Sequence, residues 1–225
     1  MTARRVQTDK EQFDWLRLAR TPRVGPVTFA QLIARFGNAT DALKALPSLA
    51  GRSRNGRPQP PPTERIEEEL KAVSDYGARL VCSIEPDYPP LLATLAPPPP
   101  VLTALGNIKL AQRPTVALVG ARDASAAGRK LARDISAVLS AADFVTVSGL
   151  ARGIDGEVHA ASLDGGTIAV LGGGIDHIYP SQHDRLYAAV AAKGLILSET
   201  PFGYKAQARE FPRRNRIVTG LFQGV

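Results

Sequence analysis

Ser148-Gly149-Leu150-Ala151-Arg152-Gly153-Ile154-Asp155 places two glycines, a small hydroxyl and an arginine in one short stretch. It follows the apolar run 144–147 and precedes helical spacing that begins near Gly156. A turn that leaves a strand and opens a helix aims unpaired backbone N–H groups, and the positive end of the helix dipole, at its ligand. The chemistry is therefore anion recognition, with Gly149 and Gly153 permitting close approach and Arg152 supplying charge. Three further segments repeat the theme. Gly120-Ala121-Arg122, closing at Ser125, joins a tight turn to a cation. Gly172-Gly173-Gly174-Ile175-Asp176 is followed by Tyr179-Pro180. Phe211-Pro212-Arg213-Arg214-Asn215-Arg216 sets arginines, which make forked contacts with phosphate and stack on bases, beside an aromatic ring.

The same residues lack the frame that catalysis needs. No Walker pattern is present, and no G-x-G-x-x-G follows the first strand of the unit. Ser148 has no G-x-S-x-G context and no evident base. His159, His177 and His183 are not at metal-ligand spacing, and read as satisfied helix or loop histidines. Asp155 and Asp176 precede helical or turn segments, so capping is their expected role. Tyr179, Ser198 and Glu199 are read the same way, as residues that shape strand ends. No catalytic residue, metal or cofactor is expected.

Strands and helices must carry these turns. Apolar runs predict strands over 80–84, 101–105, 116–119, 145–147, 168–171 and 195–197. Between them, helical spacing covers 126–141, 156–163 and 183–192. Strands alternating with helices of this length predict an α/β fold: a Rossmann-like, mostly parallel sheet with helices on both faces. Ligands of such sheets bind beyond the carboxyl ends of the strands, where the 120–125, 148–155 and 172–176 segments and Ser198-Glu199 fall. The run 97–100 reads as an extended proline spacer.

Before residue 78 the pattern is helical. Apolar faces at Phe13 and Leu16, then at Phe29, Leu32, Ile33 and Phe36, flank a breaker-rich turn over 21–26. Gly37 ends the second helix and Asn38 opens a third over 39–46. A proline-, glycine- and arginine-rich stretch over 47–62 predicts a flexible linker. A charged helix over 63–76 follows, its Glu67-Glu68-Glu69 run reading as a solvated face. The organisation expected is a small all-α domain over 1–77, helix-hairpin-helix-like, and a Rossmann-like domain over 78–225.

The net charge of +7 has the same origin. Residues 1–60 hold 11 basic and 4 acidic side chains, whereas 78–225 hold 15 and 12. An anionic partner is favoured. The lone Cys82 argues against a disulfide framework and for a reducing, cytoplasmic compartment. No run approaches the roughly 18 apolar residues of a membrane helix.

Taken together, the 120–125, 148–155, 174–180, 198–199 and 211–216 motifs resemble the DNA-processing protein A family (DprA, also called Smf). The order and spacing match over about residues 80–221, and the N-terminal helices are similar to that family's sterile-alpha-motif-like domain. The resemblance implies a protein that is not an enzyme. It implies a sequence-nonspecific single-stranded-DNA-binding recombination mediator, which protects incoming DNA in natural transformation and helps load a RecA-type recombinase. It further implies a DNA pocket lined by Arg122, the 148–153 loop, the 172–176 loop and Arg214-Asn215-Arg216. Ser181-Gln182-His183 and Gly220-Leu221-Phe222 depart from the family pattern. Members carry further sheet strands, often a winged helix, and homodimer surfaces beyond the position of Val225. The alternative is a Rossmann-like nucleotide enzyme of the phosphoribohydrolase or lysine-decarboxylase-like group. That group carries a P-G-G-x-G-T-x-x-E loop, where this chain has Leu171-Gly172-Gly173-Gly174-Ile175-Asp176; Glu199 is its one candidate acid.

Overall fold

A computed structural model describes residues 5–49 and 58–222. The central part of the expected linker, 50–57, lies outside the described residues.

The chain opens with helices α1 (Asp9–Ala19), α2 (Pro26–Phe36) and α3 (Ala39–Leu49), followed by α4 (Thr63–Asp75). Each starts or stops where local chemistry dictates. Thr8 and Glu11 close a reciprocal capping box on α1. Pro26 stands at the start of α2, and Gly37, at φ 81°, ends it. The Asn38 side chain accepts from the Asp41 N–H at 2.8 Å to open α3.

Six strands follow: β1 (Arg79–Cys82), β2 (Val101–Gly106), β3 (Thr115–Ala117), β4 (Val145–Ser148), β5 (Thr167–Leu171) and β6 (Leu195–Ser198). They form one sheet in the order β1-β2-β6-β5-β4-β3. The block from β3 to β6 is parallel, joined by α5 (Ala126–Ala141), α6 (Ile154–Ser162) and α7 (Asp184–Lys193). Strands β1 and β2 are antiparallel to their neighbours. Only a short 3₁₀ turn lies in the connection between them, and no helical crossover is there to return the chain in parallel. After β6 comes α8 (Glu210–Gly220), which the sequence reading did not separate as a helix of its own.

Alternation along the strands divides the core between two faces. Ala169, Leu171 and Ile196 belong to one cluster, with Trp15, Leu16, Ile66 and Val190. Ile168, Val170 and Leu197 belong to the other, with Tyr88, Leu92 and Ile217. The first cluster is continuous from α1 and α4 into the sheet, so the N-terminal helices pack on it directly.

Two sequence expectations are corrected here. The proline run is an anchor rather than a spacer, because confining it to a buried turn exposes its carbonyls to partners. The Pro99 carbonyl accepts from the Tyr88 hydroxyl at 2.8 Å, and the Pro100 carbonyl from the Trp15 indole at 2.9 Å. Within the glutamate run, Glu67 and Glu68 are exposed, but Glu69 faces inward. It pairs with Arg20 at 2.8 Å, and both side chains are nearly buried.

Candidate functional site

The parallel block brings the carboxyl ends of β3, β4, β5 and β6 to one rim. At the end of β4 the Ser148 hydroxyl donates to the Leu118 carbonyl at 2.6 Å, tying two turns together. The Asp155 carboxylate reaches back and accepts from the Gly149 and Ala151 N–H groups, at 3.1 and 3.4 Å. Between those two lies Leu150, buried at φ 58°, a conformation that costs a non-glycine residue about 1–2 kcal/mol.

Two histidines hold it there. The Leu150 N–H donates to His159 Nε2 at 3.3 Å, and the Leu150 carbonyl lies 3.0 Å from His183 Nδ1. A carbonyl only accepts, so His183 carries its proton on Nδ1. By the same logic His159 carries its proton on Nδ1, 2.8 Å from the Thr167 hydroxyl. Burial, with Arg214 and His183 nearby, holds His159 down at about 3, so it is neutral at physiological pH.

The neighbouring loops interlock. Gly153 has φ 77°, and a Cβ there would overlap the Ala121 carbonyl and the Arg122 backbone. The Ile154 N–H donates to Ala121 O at 3.2 Å. Gly120 lies against Ile154 with no room for a side chain, and Ser125 caps α5 by accepting from the Gly128 N–H at 3.1 Å.

Helix α8 lies across the rim and divides its arginines. Arg214 points inward and is 8% exposed; it donates to the Val170 carbonyl and occupies the space that a side chain at Gly149 would need. Burial pushes this guanidinium below its ordinary range and Arg122 adds to the effect, while Asp155 opposes both. Arg216 pairs with Glu199, and Arg213 reaches the same carboxylate at 3.6 Å. Arg213 and Asn215 face outward. At the start of α8 the Phe211 ring supports the Arg122 guanidinium, 5.1 Å from its centroid, in cation–π geometry. Tyr179 lies 5.5 Å from Phe211, 48% exposed. Arg152, 59% exposed, is 3.9 Å from Asp123.

The triple-glycine turn is placed differently from the other loops. Gly172, Gly173 and Gly174 are buried beneath Phe211 and the chain over 201–206, and the Gly174 N–H donates to Tyr204 O at 2.8 Å. Ser198 donates to Gly173 O at 2.6 Å, Thr200 to Gly172 O at 3.0 Å, and Asp176 accepts from the Gly203 N–H at 2.8 Å. The glycines are needed for backbone-to-backbone packing here.

The structure thus gathers Arg122, Arg152, Phe211, Arg213 and Asn215 at the surface. Arg214, Ser148, Gly149 and the triple glycine lie beneath them. The sequence reading gave Tyr179 only a turn-shaping role and missed its half-exposed ring. The Phe211 spacing to Tyr-Pro carried no signal for that pairing. Among the described residues no cluster of His, Cys, Asp and Glu could hold a metal ion.

A mostly parallel α/β sheet whose carboxyl rim bears glycine turns, a tilted aromatic pair and exposed arginines defines a Rossmann-like α/β protein. Residues 79–225 match the family model of DNA recombination-mediator protein A, and residues 9–72 match the DprA-like N-terminal HHH domain. The chain belongs to the DNA recombination-mediator protein A (DprA/Smf) family. It is 38% identical over 234 residues to protein Smf of Synechocystis sp., covering 96% of this chain and 58% of that protein. It is 37% identical to the DNA processing protein DprA of Bacillus subtilis, over 72% of this chain and 55% of the relative. The chain therefore spans a little over half the length of these relatives. The X-ray structure of DprA from Streptococcus pneumoniae superposes with a TM-score of 0.73 at 27% identity, over 97% of this chain and 76% of that one. A Helicobacter pylori DprA structure, described for its single-stranded DNA binding mode, matches with a TM-score of 0.60 at 28% identity, over 64% of this chain and 66% of that one.

Proposed function

We propose that this chain is a DNA-processing protein that binds single-stranded DNA on the rim without reading its sequence. In this reading it acts in recombination during DNA uptake and helps place a RecA-type recombinase. The observation that carries the binding is the stack of Arg122 on Phe211 beside Tyr179, flanked by Arg152 and Arg213. Cations that meet phosphates next to rings that accept any base are what a sequence-tolerant single-strand site requires. Arg122, Arg152, Phe211, Arg213, Asn215 and Arg216 are read as the contacting residues. Gly120, Ser125, Ser148, Gly149, Ala151, Gly153 and Gly172–Gly174 hold the loops in position, and Arg214 acts from below. Glu199 is engaged by Arg216 and Arg213, which supports binding over hydrolysis. A two-domain division near residue 77, a cytoplasmic location and a homodimer of the full-length protein belong to the same reading. The recombinase role rests on the family resemblance.

A mobility-shift titration with single- and double-stranded oligonucleotides over a salt series tests it. The expected result is preference for single strands, with log K falling linearly in log salt. Arg122→Ala should weaken binding to every sequence alike and reduce the salt slope by about 0.7, one phosphate contact on a single strand. Wild-type affinity and slope in that variant would remove Arg122 from the interface.

A further inference from the structure

We propose that the cleft between the N-terminal helices and α8 is a second phosphate-backbone site, which takes the nucleotides that leave the rim. The inference rests on the rim reading and extends it to a surface that the sequence reading did not single out. The cleft has a volume of about 500 Å³ and lies between the α1–α2 turn, α4, the chain after β6 and the start of α8. Five arginines line it (Arg20, Arg23, Arg65, Arg209 and Arg213) against Glu199 and Glu210, and with Glu69, the partner of Arg20, counted as well the excess is two positive charges.

The carboxylates do not cancel the field. Glu210 lies 3.1 Å from Arg209 and 3.9 Å from Arg213, and Glu199 already serves Arg213 and Arg216. Arg20 is held by Glu69 and fixes the floor. Arg65 forms no ion pair among the described residues and is exposed, as are Arg209 and Arg213, whose side chains are 73% and 54% accessible. Exposed guanidinium groups held around a concave floor favour phosphate oxygens, which they grip in a forked geometry. Tyr204 adds a half-buried aromatic ring to the wall.

Continuity argues for a polymer over a free nucleotide. Glu199, Thr200, Glu210 and Arg213 line the cleft and also the shallow notch over Gly172 at the rim. At its other end the cleft shares Arg20, Arg65 and Pro201 with a second hollow of about 420 Å³ that runs toward Pro60–Pro62. A strand leaving Phe211 would enter the cleft past Arg213, where the two carboxylates at the junction, Glu199 and Glu210, are already engaged by arginines.

Fluorescence anisotropy with oligothymidylates of about 6 and about 18 nucleotides, lengths that bracket common single-strand site sizes, separates the two sites. The variant is Arg23→Asn with Arg65→Gln, since asparagine tolerates the positive φ of Arg23 (69°) and both positions are exposed. Short-oligomer affinity should match wild type, while long-oligomer affinity falls about tenfold and its salt slope by about 1.4, two single-strand contacts. Unchanged long-oligomer binding, or equal loss at both lengths, overturns the second site. Arg122→Ala should weaken both lengths. If it weakens neither while the double variant still loses long-oligomer binding, the rim reading fails and the cleft stands.

Discussion

His159 shows how a single buried group can govern the rim without touching a ligand. It must remain neutral to accept from Leu150, and burial holds it at about 3 against an ordinary value near 6.5. The sign follows directly. As pH falls below about 6.5 the unfolded chain binds a proton that the folded chain refuses, so stability drops by about 1.4 kcal/mol per pH unit. Between pH 6.5 and 5 the loss amounts to about 2 kcal/mol from this group. Denaturant titrations of wild type and His159→Gln across that window should show the variant with the shallower pH dependence, though less stable at pH 7. Parallel curves would mean that His159 does not govern the acid response. The sequence marked His159 as a satisfied histidine, and its two hydrogen bonds agree. What it could not show was the partner: a leucine in left-handed conformation has no sequence signature, because the strain is imposed by the surroundings. The inward turn of Arg214 was hidden for a related reason. Three arginines in four residues look equivalent until a helix gives each a face.

The elements on the rim were legible to very different degrees. Regular strands and helices with clean apolar periodicity came within two or three residues of their positions, as β4, β5 and α5 show. Helix α8 did not stand out, since its buried face is small and includes Arg214 and a glycine beside Ile217 and Val218. The loop-to-loop contact at Gly153 is another feature set by three dimensions. The sequence marked that glycine for approach to a ligand, whereas the structure uses it to let the turns after β3 and β4 touch. Gly153→Ala forces a Cβ into the Ala121 and Arg122 backbones at a positive φ. The expected cost is more than about 2 kcal/mol, the left-handed penalty plus the displaced contact. Because Arg122 would move with its backbone, DNA affinity should fall as well. Thermal melts and anisotropy on the same sample check both; a variant as stable as wild type would show that the two loops are not braced against each other.

At the scale of the whole molecule, the helical N-terminal region and the sheet share one core. Composition shifts and the proline-rich stretch make residue 77 look like a boundary, and such patterns are all that a sequence offers about domain independence. They say nothing of where apolar faces point. Trp15, Leu16 and Leu18 of α1 and Ile66 and Val73 of α4 are buried in the same cluster as Leu80, Val101 and Ile196. The Trp15 indole donates to the carbonyl of Pro100, the residue before β2, and Arg20 donates to the Glu199 carbonyl at 3.2 Å. Exposing that face would put several large side chains in water, each worth about 1.5–3 kcal/mol of burial. An independently stable helical unit would have to bear that cost. The two regions are therefore expected to unfold in one transition. Trp15 is the one tryptophan in the chain, so its fluorescence reports the helical region while far-UV circular dichroism reports the whole. Coincident urea midpoints are the expected result. Trp15→Ala, read by circular dichroism, should lower the common midpoint by the equivalent of about 3–5 kcal/mol, the cost of emptying a buried aromatic site. A fluorescence midpoint well below the dichroism midpoint would mean instead that the helices detach first. The cleft that depends on their docking would then exist only while that contact holds.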